Sequence, residues 1–147
     1  MELIENLSEQ LSIINTLTET TRREREALIS RDIELLQNCR QEKDKLQENL
    51  LLLEQKRSAL CHEQTLQEIA AAPEAPSDKL LDLRRQLKTA LRLFKSEHDT
   101  NIIIYKHEMA YFNTMREAIS TKMNAQHYTN KGAIAKHHEA ISLSKRA

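Results

Sequence analysis

The sequence of 147 residues has very few residues that end helices: one glycine, Gly132, and two prolines, Pro73 and Pro76. Proline removes an amide donor and blocks the preceding turn, and glycine is the usual residue at left-handed helix ends. Their scarcity leaves two long stretches without an internal breaker. The sequence therefore predicts long helical arms joined near residue 70.

Aromatic residues are also scarce: they make up 3% of the chain, tryptophan is absent, and 30% of residues are charged. This composition is typical of long helices and coiled coils. We expect an all-α fold, an elongated antiparallel bundle or coiled coil of three long helices with a flexible C-terminal tail. The predicted domain covers residues 1–125, with a linker near 70–77, and residues 126–147 form a flexible basic tail.

The spacing of apolar residues gives approximate helix bounds. Apolar residues recur every three or four positions along residues 3–17 and 80–94, which is the spacing that lines one face of a helix. Residues 36–60 form a heptad seam in which Lys43 and Arg57 occupy two positions, and we expect their stems to lie along the apolar groove with the charges reaching water or a facing carboxylate. We predict helices near 2–29, 32–68 and 77–124. The first two could instead form one continuous rod.

Neither bulk charge nor an apolar run points to nucleic acid or a membrane. The 22 basic residues balance the 22 acidic ones, and no apolar run approaches the roughly 20 residues needed to span a bilayer. We therefore expect no nucleic-acid partner, no membrane insertion and a cytoplasmic location. The mixed charges around Arg22-Arg23 and along residues 40–45 are interpreted as solvated faces.

The sequence predicts no catalytic residues, no cofactor and no metal site. Cys39 and Cys61 would lie about 33 Å apart on one helix, which argues against a disulfide, and we expect reduced, partly buried thiols. Six histidines are present, but none has metal-ligand spacing with a partner. An oxyanion hole or a phosphate loop is not expected from a chain with one glycine.

The last predicted helix carries polar residues within its apolar face. His98 and Asn101 could form a ligand-reading pair, but polar residues in such seams more often set the helix register, and we interpret them as register or core positions. The cluster from Met109 to Met115, with Tyr111 and Phe112, is either core or an adaptable binding groove. The sequence leaves these two readings open.

Several segments carry motifs that occur together in one known family. Residues 24–36 combine an acidic-basic run with a leucine pair, Lys43 follows, and residues 53–57 read Leu-Glu-Gln-Lys-Arg. The last helix has Asn-Ile-Ile at 101–103, and the tail has Tyr-Thr-Asn-Lys-Gly at 128–132. This set resembles the FlgN family of flagellar type III export chaperones, whose tail motif is Tyr-Gly-x-x-Gly.

The resemblance implies a chaperone that binds the helical termini of hook-filament junction proteins, the hook-associated proteins of the FlgK and FlgL type. It would prevent their premature assembly and deliver them to the export gate FlhA, and we expect a monomer or a weak homodimer. The implied gate-docking residues are Tyr128 and Gly132. The implied client face consists of Tyr105, Met109, Phe112, Met115, Ile119 and Met123.

The rival hypothesis is a structural coiled-coil adaptor or oligomerisation module without a client. The two hypotheses differ in stoichiometry: a chaperone forms a one-to-one complex with a client segment, whereas an adaptor forms a stable multimer alone. An enzyme is the third and weakest reading.

Overall fold

The computed structural model describes residues 1–73 and 75–131, with side chains through residue 125. The described residues form helices and connecting turns, without a strand: α1 (Glu2–Ser30), α2 (Ile33–Cys61), α3 (Leu66–Ala70) and α4 (Ser77–Lys131). The all-α prediction is thereby confirmed. That three long helices pack in an antiparallel arrangement stays a prediction.

The chain divides into two compact units, Met1–Ile104 and Tyr105–Ala147. The first unit contains α1, α2, α3 and the first part of α4. The second contains the rest of α4, whose backbone is helical to Lys131 and so passes the predicted end near 124. The next residue is Gly132, the one glycine of the sequence, so neither glycine nor proline interrupts the sequence from Ser77 to Lys131.

The break between α1 and α2 rules out one continuous rod. Arg31 is left-handed with a φ of 58°, and its amide donates to the carbonyl of Ala27. Asp32 then caps α2 by accepting a hydrogen bond from the amide of Leu35 at 3.1 Å. A short side chain that accepts a hydrogen bond at this position pairs with one of the free amides at the start of a helix. Asp32 therefore sets the beginning of α2.

The predicted end of the second helix near residue 68 is wrong, because α2 ends at Cys61. His62 and Glu63 are both left-handed, with φ of 46° and 68°, and a separate helix, α3, follows. The start of α3 is a capping box: the Glu68 amide donates to the Thr65 hydroxyl at 3.2 Å and the Thr65 amide donates to the Glu68 carboxylate at 2.8 Å. Such reciprocal capping favours a new helix start over continuation of α2.

The hydrophobic core of the first unit is built mainly by α1 and α4. Leucines and isoleucines at three-to-four spacing on α1 meet the matching stripe of α4, with contributions from Cys61 and Ala70. Leu91 was expected on this stripe, but Ala90 is buried and Leu91 is exposed. The core residues are Leu3, Ile4, Leu7, Ile14, Cys61, Ala70, Leu80, Leu83, Leu87 and Ala90.

Both cysteines are free, as predicted, and they are buried more completely than expected. Cys39 lies on α2, where burial raises the pKa of its thiol. The side chain of Cys61 lies in the core at the end of α2, and a guanidinium nitrogen of Arg57 is 3.8 Å from its sulfur.

Candidate functional site

Asn101 lies at the centre of a buried polar cluster in the first unit. Its side chain is 2% exposed, and its amide nitrogen donates to the Thr21 carbonyl at 2.7 Å and to the Glu24 carboxylate at 2.9 Å. Its amide oxygen accepts a hydrogen bond from Nε of Arg25 at 3.0 Å. Three hydrogen bonds therefore tie this one α4 side chain to α1.

Lys43 brings α2 into the same cluster. Its buried ammonium is 3.4 Å from the Glu24 carboxylate and 3.2 Å from Nδ1 of His98. Because an ammonium can only donate, the His98 nitrogen accepts here. The His98 ring stacks on Phe94 with centroids 5.8 Å apart. Of the two predicted register residues, His98 contacts Lys43 and Asn101 donates to Glu24, so three helices meet at one level.

Glu97 lies at the edge of the cluster. Its carboxylate pairs with Arg25 and lies 3.5 Å from Nε of Arg22. The hydrogen bond from Arg25 holds the pKa of Glu97 below its usual value of about 4.5. Because the pKa of Glu97 is lower in the folded state than in the unfolded chain, its ionised carboxylate stabilises the fold at pH values above the usual carboxyl range. This stabilisation is lost as the pH falls through the lowered pKa.

The interpretation of the mixed charges as solvated faces is wrong at Glu24, which is buried. Lys43 is buried as well, and its charge reaches a facing carboxylate, as expected from its seam position. Each of the two residues supplies the counter-charge that the other needs. Thr21 is buried as well, and its hydroxyl donates to the Leu17 carbonyl at 2.7 Å. The missed signal is spacing: the three-to-four stripe of α1 that includes Ile14 and Leu17 continues at positions 21 and 24 through residues that are not apolar.

The six predicted client-binding residues all lie on α4 in the second unit. Their side chains are exposed, from 40% for Met109 to 63% for Met123. Their spacing of mostly three or four positions continues, in sequence, the spacing of Leu80, Leu83 and Leu87. We call this set the client stripe: Tyr105, Met109, Phe112, Met115, Ile119 and Met123.

The predicted gate-docking residues lie near the C-terminal end of the chain. The side chain of Tyr128 and the whole of Gly132 lie outside the described residues.

Within the described part of the chain, no group of three or more potential metal ligands occurs. None of the described helices is long and apolar enough to cross a membrane.

The described residues thus form helices, with a buried polar cluster in the first unit and an exposed apolar stripe in the second. The sequence model of the family described as FlgN protein matches residues 1–136. The chain therefore belongs to the FlgN family, a family of flagellar export chaperones that bind hook-associated proteins. No curated protein and no solved structure gives a significant match.

Proposed function

We propose that this chain binds the helical termini of the FlgK-type and FlgL-type junction proteins in the cytoplasm, prevents their premature assembly and delivers them to the export gate FlhA. Membership of the FlgN family supports the chaperone role. The observation that carries the client-binding proposal is the exposed client stripe on α4. Family resemblance supports the choice of these clients and of the gate.

The composition of the client stripe suits a helical client. Its residues recur at helical spacing, and an amphipathic helix binds a groove through anchors spaced in the same way. Three of its six members are methionines, whose flexible side chains adapt to different partners. Burial of an exposed apolar side chain contributes about 1.5–3 kcal/mol, offset by the cost of ordering the client segment. Binding of this kind is reversible without nucleotide.

The proposed scaffold for this stripe is an antiparallel bundle within a helical chaperone domain of residues 1–125. In support, the Asn6 side chain donates to the Leu53 carbonyl at 2.9 Å, whereas Arg23 pairs with Glu42 at 2.9 Å. Residue numbers therefore fall along α2 as they rise along α1. We propose a linker near 70–77 and a separate basic tail of residues 126–147.

The stoichiometry of the complex tests the chaperone proposal. We expect multi-angle light scattering to give a monomer or a weak dimer for the full chain alone, and a one-to-one complex after addition of a C-terminal segment of a junction protein. A soluble, unrelated helical segment of equal length serves as the control. A stable multimer that ignores the junction segment would favour the adaptor reading instead.

Tyr128 and Gly132 are proposed to dock on FlhA, on the strength of the tail motif alone. We expect Tyr128→Ala to leave the affinity for the junction segment unchanged and to abolish retention of the complex on immobilised FlhA cytoplasmic domain. Tyr111→Ala, on α4 but outside the client stripe, is the matched control. Loss of both interactions in Tyr128→Ala would mean that the tail is not a separate docking module.

A further inference from the structure

One stretch of α4 in the first unit has an unbalanced charge. The whole chain has a formal net charge of zero, yet residues 83–96 contain five basic residues and no acidic one. The basic residues of this stretch are Arg84, Arg85, Lys88, Arg92 and Lys95. In a chain whose other charges are mixed, such a run is a local electrostatic feature.

Apolar residues alternate with these basic residues on one side of the helix. Leu81, Arg84, Lys88, Leu91 and Lys95 are spaced by three or four positions and therefore share a face, which we call the mixed face. Leu81, Leu91, Lys88 and Lys95 are exposed, and Arg84 is half-buried. The mixed face is separate from the buried stripe that begins at Leu80.

In the part of the chain that the structure describes, the cations of the mixed face lack ion-pair partners, although Glu63 lies in the lining of the adjoining cleft. Arg85 pairs with Asp82 at 3.4 Å, but among the described residues no carboxylate forms an ion pair with Arg84, Lys88 or Lys95. Arg84 and Lys88 are one turn apart, and like charges at this spacing destabilise a helix. The fold therefore carries an unfavourable repulsion that an acidic partner would relieve.

A cleft of about 480 Å³ adjoins this face, where the end of α2, the turn and α3 meet α4. Its apolar wall comes from Leu66, Leu87 and Leu91, and Arg84 and Lys88 lie in the same lining. The volume lies within the range of roughly 300–1,000 Å³ typical of binding pockets. The other lining residues are Arg57, Ser58, Cys61, Glu63, Gln64 and Thr65.

We propose that the mixed face and its cleft bind an acidic amphipathic segment of a partner protein. Its carboxylates would face Arg84 and Lys88, and one of its apolar side chains would enter the cleft beside Leu91. The site shares no residue with the client stripe, so it goes beyond the proposed function.

The charge and the lining favour this occupant over others. The chain's own end is basic, with Lys136, Lys145 and Arg146, and would be repelled. The lining contains no aromatic side chain on which bases of single-stranded nucleic acid could stack. The apolar wall matches leucine-like side chains, which a partner of carboxylates alone would not use.

Fluorescence anisotropy tests the proposal with the full chain and a labelled helical peptide of Glu and Leu. We expect this peptide to bind, and its Lys-for-Glu counterpart not to bind. Arg84→Glu combined with Lys88→Glu should weaken binding by about tenfold or more, and added salt should weaken it as well. Lys45→Glu with Lys56→Glu, which reverses two exposed cations on α2, should leave the affinity within about twofold.

Two further double variants distinguish the loss of contacts at this site from a change in fold and from an effect of the client stripe. Arg84→Ala with Lys88→Ala should reproduce the loss of peptide binding while circular dichroism shows unchanged helix content. Phe112→Ala with Met115→Ala should keep the peptide affinity, because those residues belong to the client stripe.

The proposal is overturned if the two charge-reversal pairs behave alike, or if the client-stripe variant loses the peptide. It is also overturned if polyuridine or phosphatidylglycerol vesicles bind more tightly than the peptide and respond to the same Arg84 and Lys88 changes. Those results would assign the basic face to nucleic acid or to lipid.

Discussion

Replacing Phe112 and Met115 together with alanine is expected to weaken the binding of a junction-protein segment by about 100-fold, with helix content unchanged. Both side chains are exposed, 59% and 44% respectively, so their truncation removes contact area for a client without opening a cavity in the core. Each buried anchor of this kind contributes about 1.5–3 kcal/mol, and about 2.7 kcal/mol in total corresponds to 100-fold in affinity. Isothermal titration calorimetry with the full chain measures the effect.

The matched control is Ile33→Ala with Leu52→Ala, which removes two equally exposed apolar side chains from α2. We expect this variant to bind the segment as the parent does. If both double variants bound with the parent affinity, the client would lie elsewhere, and the assignment of the client stripe would be wrong even though the family membership stands.

Asn101→Leu is expected to lower the free energy of unfolding by about 3 kcal/mol, although leucine is apolar and close in size. The change removes one donor from the buried Glu24 carboxylate and the acceptor of Arg25, and a buried charged group left short of partners is costly. Urea unfolding followed by circular dichroism gives the difference.

Asn49→Leu is the control for this change, because Asn49 is exposed on α2 and surface substitutions usually change stability by about 0.5 kcal/mol or less. Equal stability losses in the two variants would show that the contacts of Asn101 do not hold the helices in register. A loss confined to Asn101→Leu supports the register interpretation made from the sequence.

The sequence predicted those helix ends that depend on a single side chain. Asp32 is a recognisable N-cap, and the second helix was predicted to begin near residue 32, although one continuous rod with the first helix was left open. The end of α2 was missed because His62 and Glu63 adopt left-handed conformations that ordinary residues disfavour, and nothing local marks them. A usable signal was present further on, since Thr65 and Glu68 have the spacing of a capping box.

The sequence indicated the polar layer on α4 and α2 but not on α1. Asn101 stands out because it interrupts an apolar stripe, and Lys43 because it occupies a seam position, where its charge needs a facing carboxylate. Glu24 did not stand out, because charged residues are almost never buried unless they are paired, and its partners are distant in sequence. The residues of the client stripe were chosen from family likeness and helical spacing. The structure adds that their side chains are exposed.

The reactivity of the buried Cys39 thiol can be used to measure local opening of the structure around α2. A thiolate is the species that attacks an alkylating reagent, and Cys39 is shielded, with the pKa of its thiol raised by burial. The rate at which maleimide modifies Cys39 therefore reports how often α2 separates from its neighbours, without a cysteine introduced by mutation.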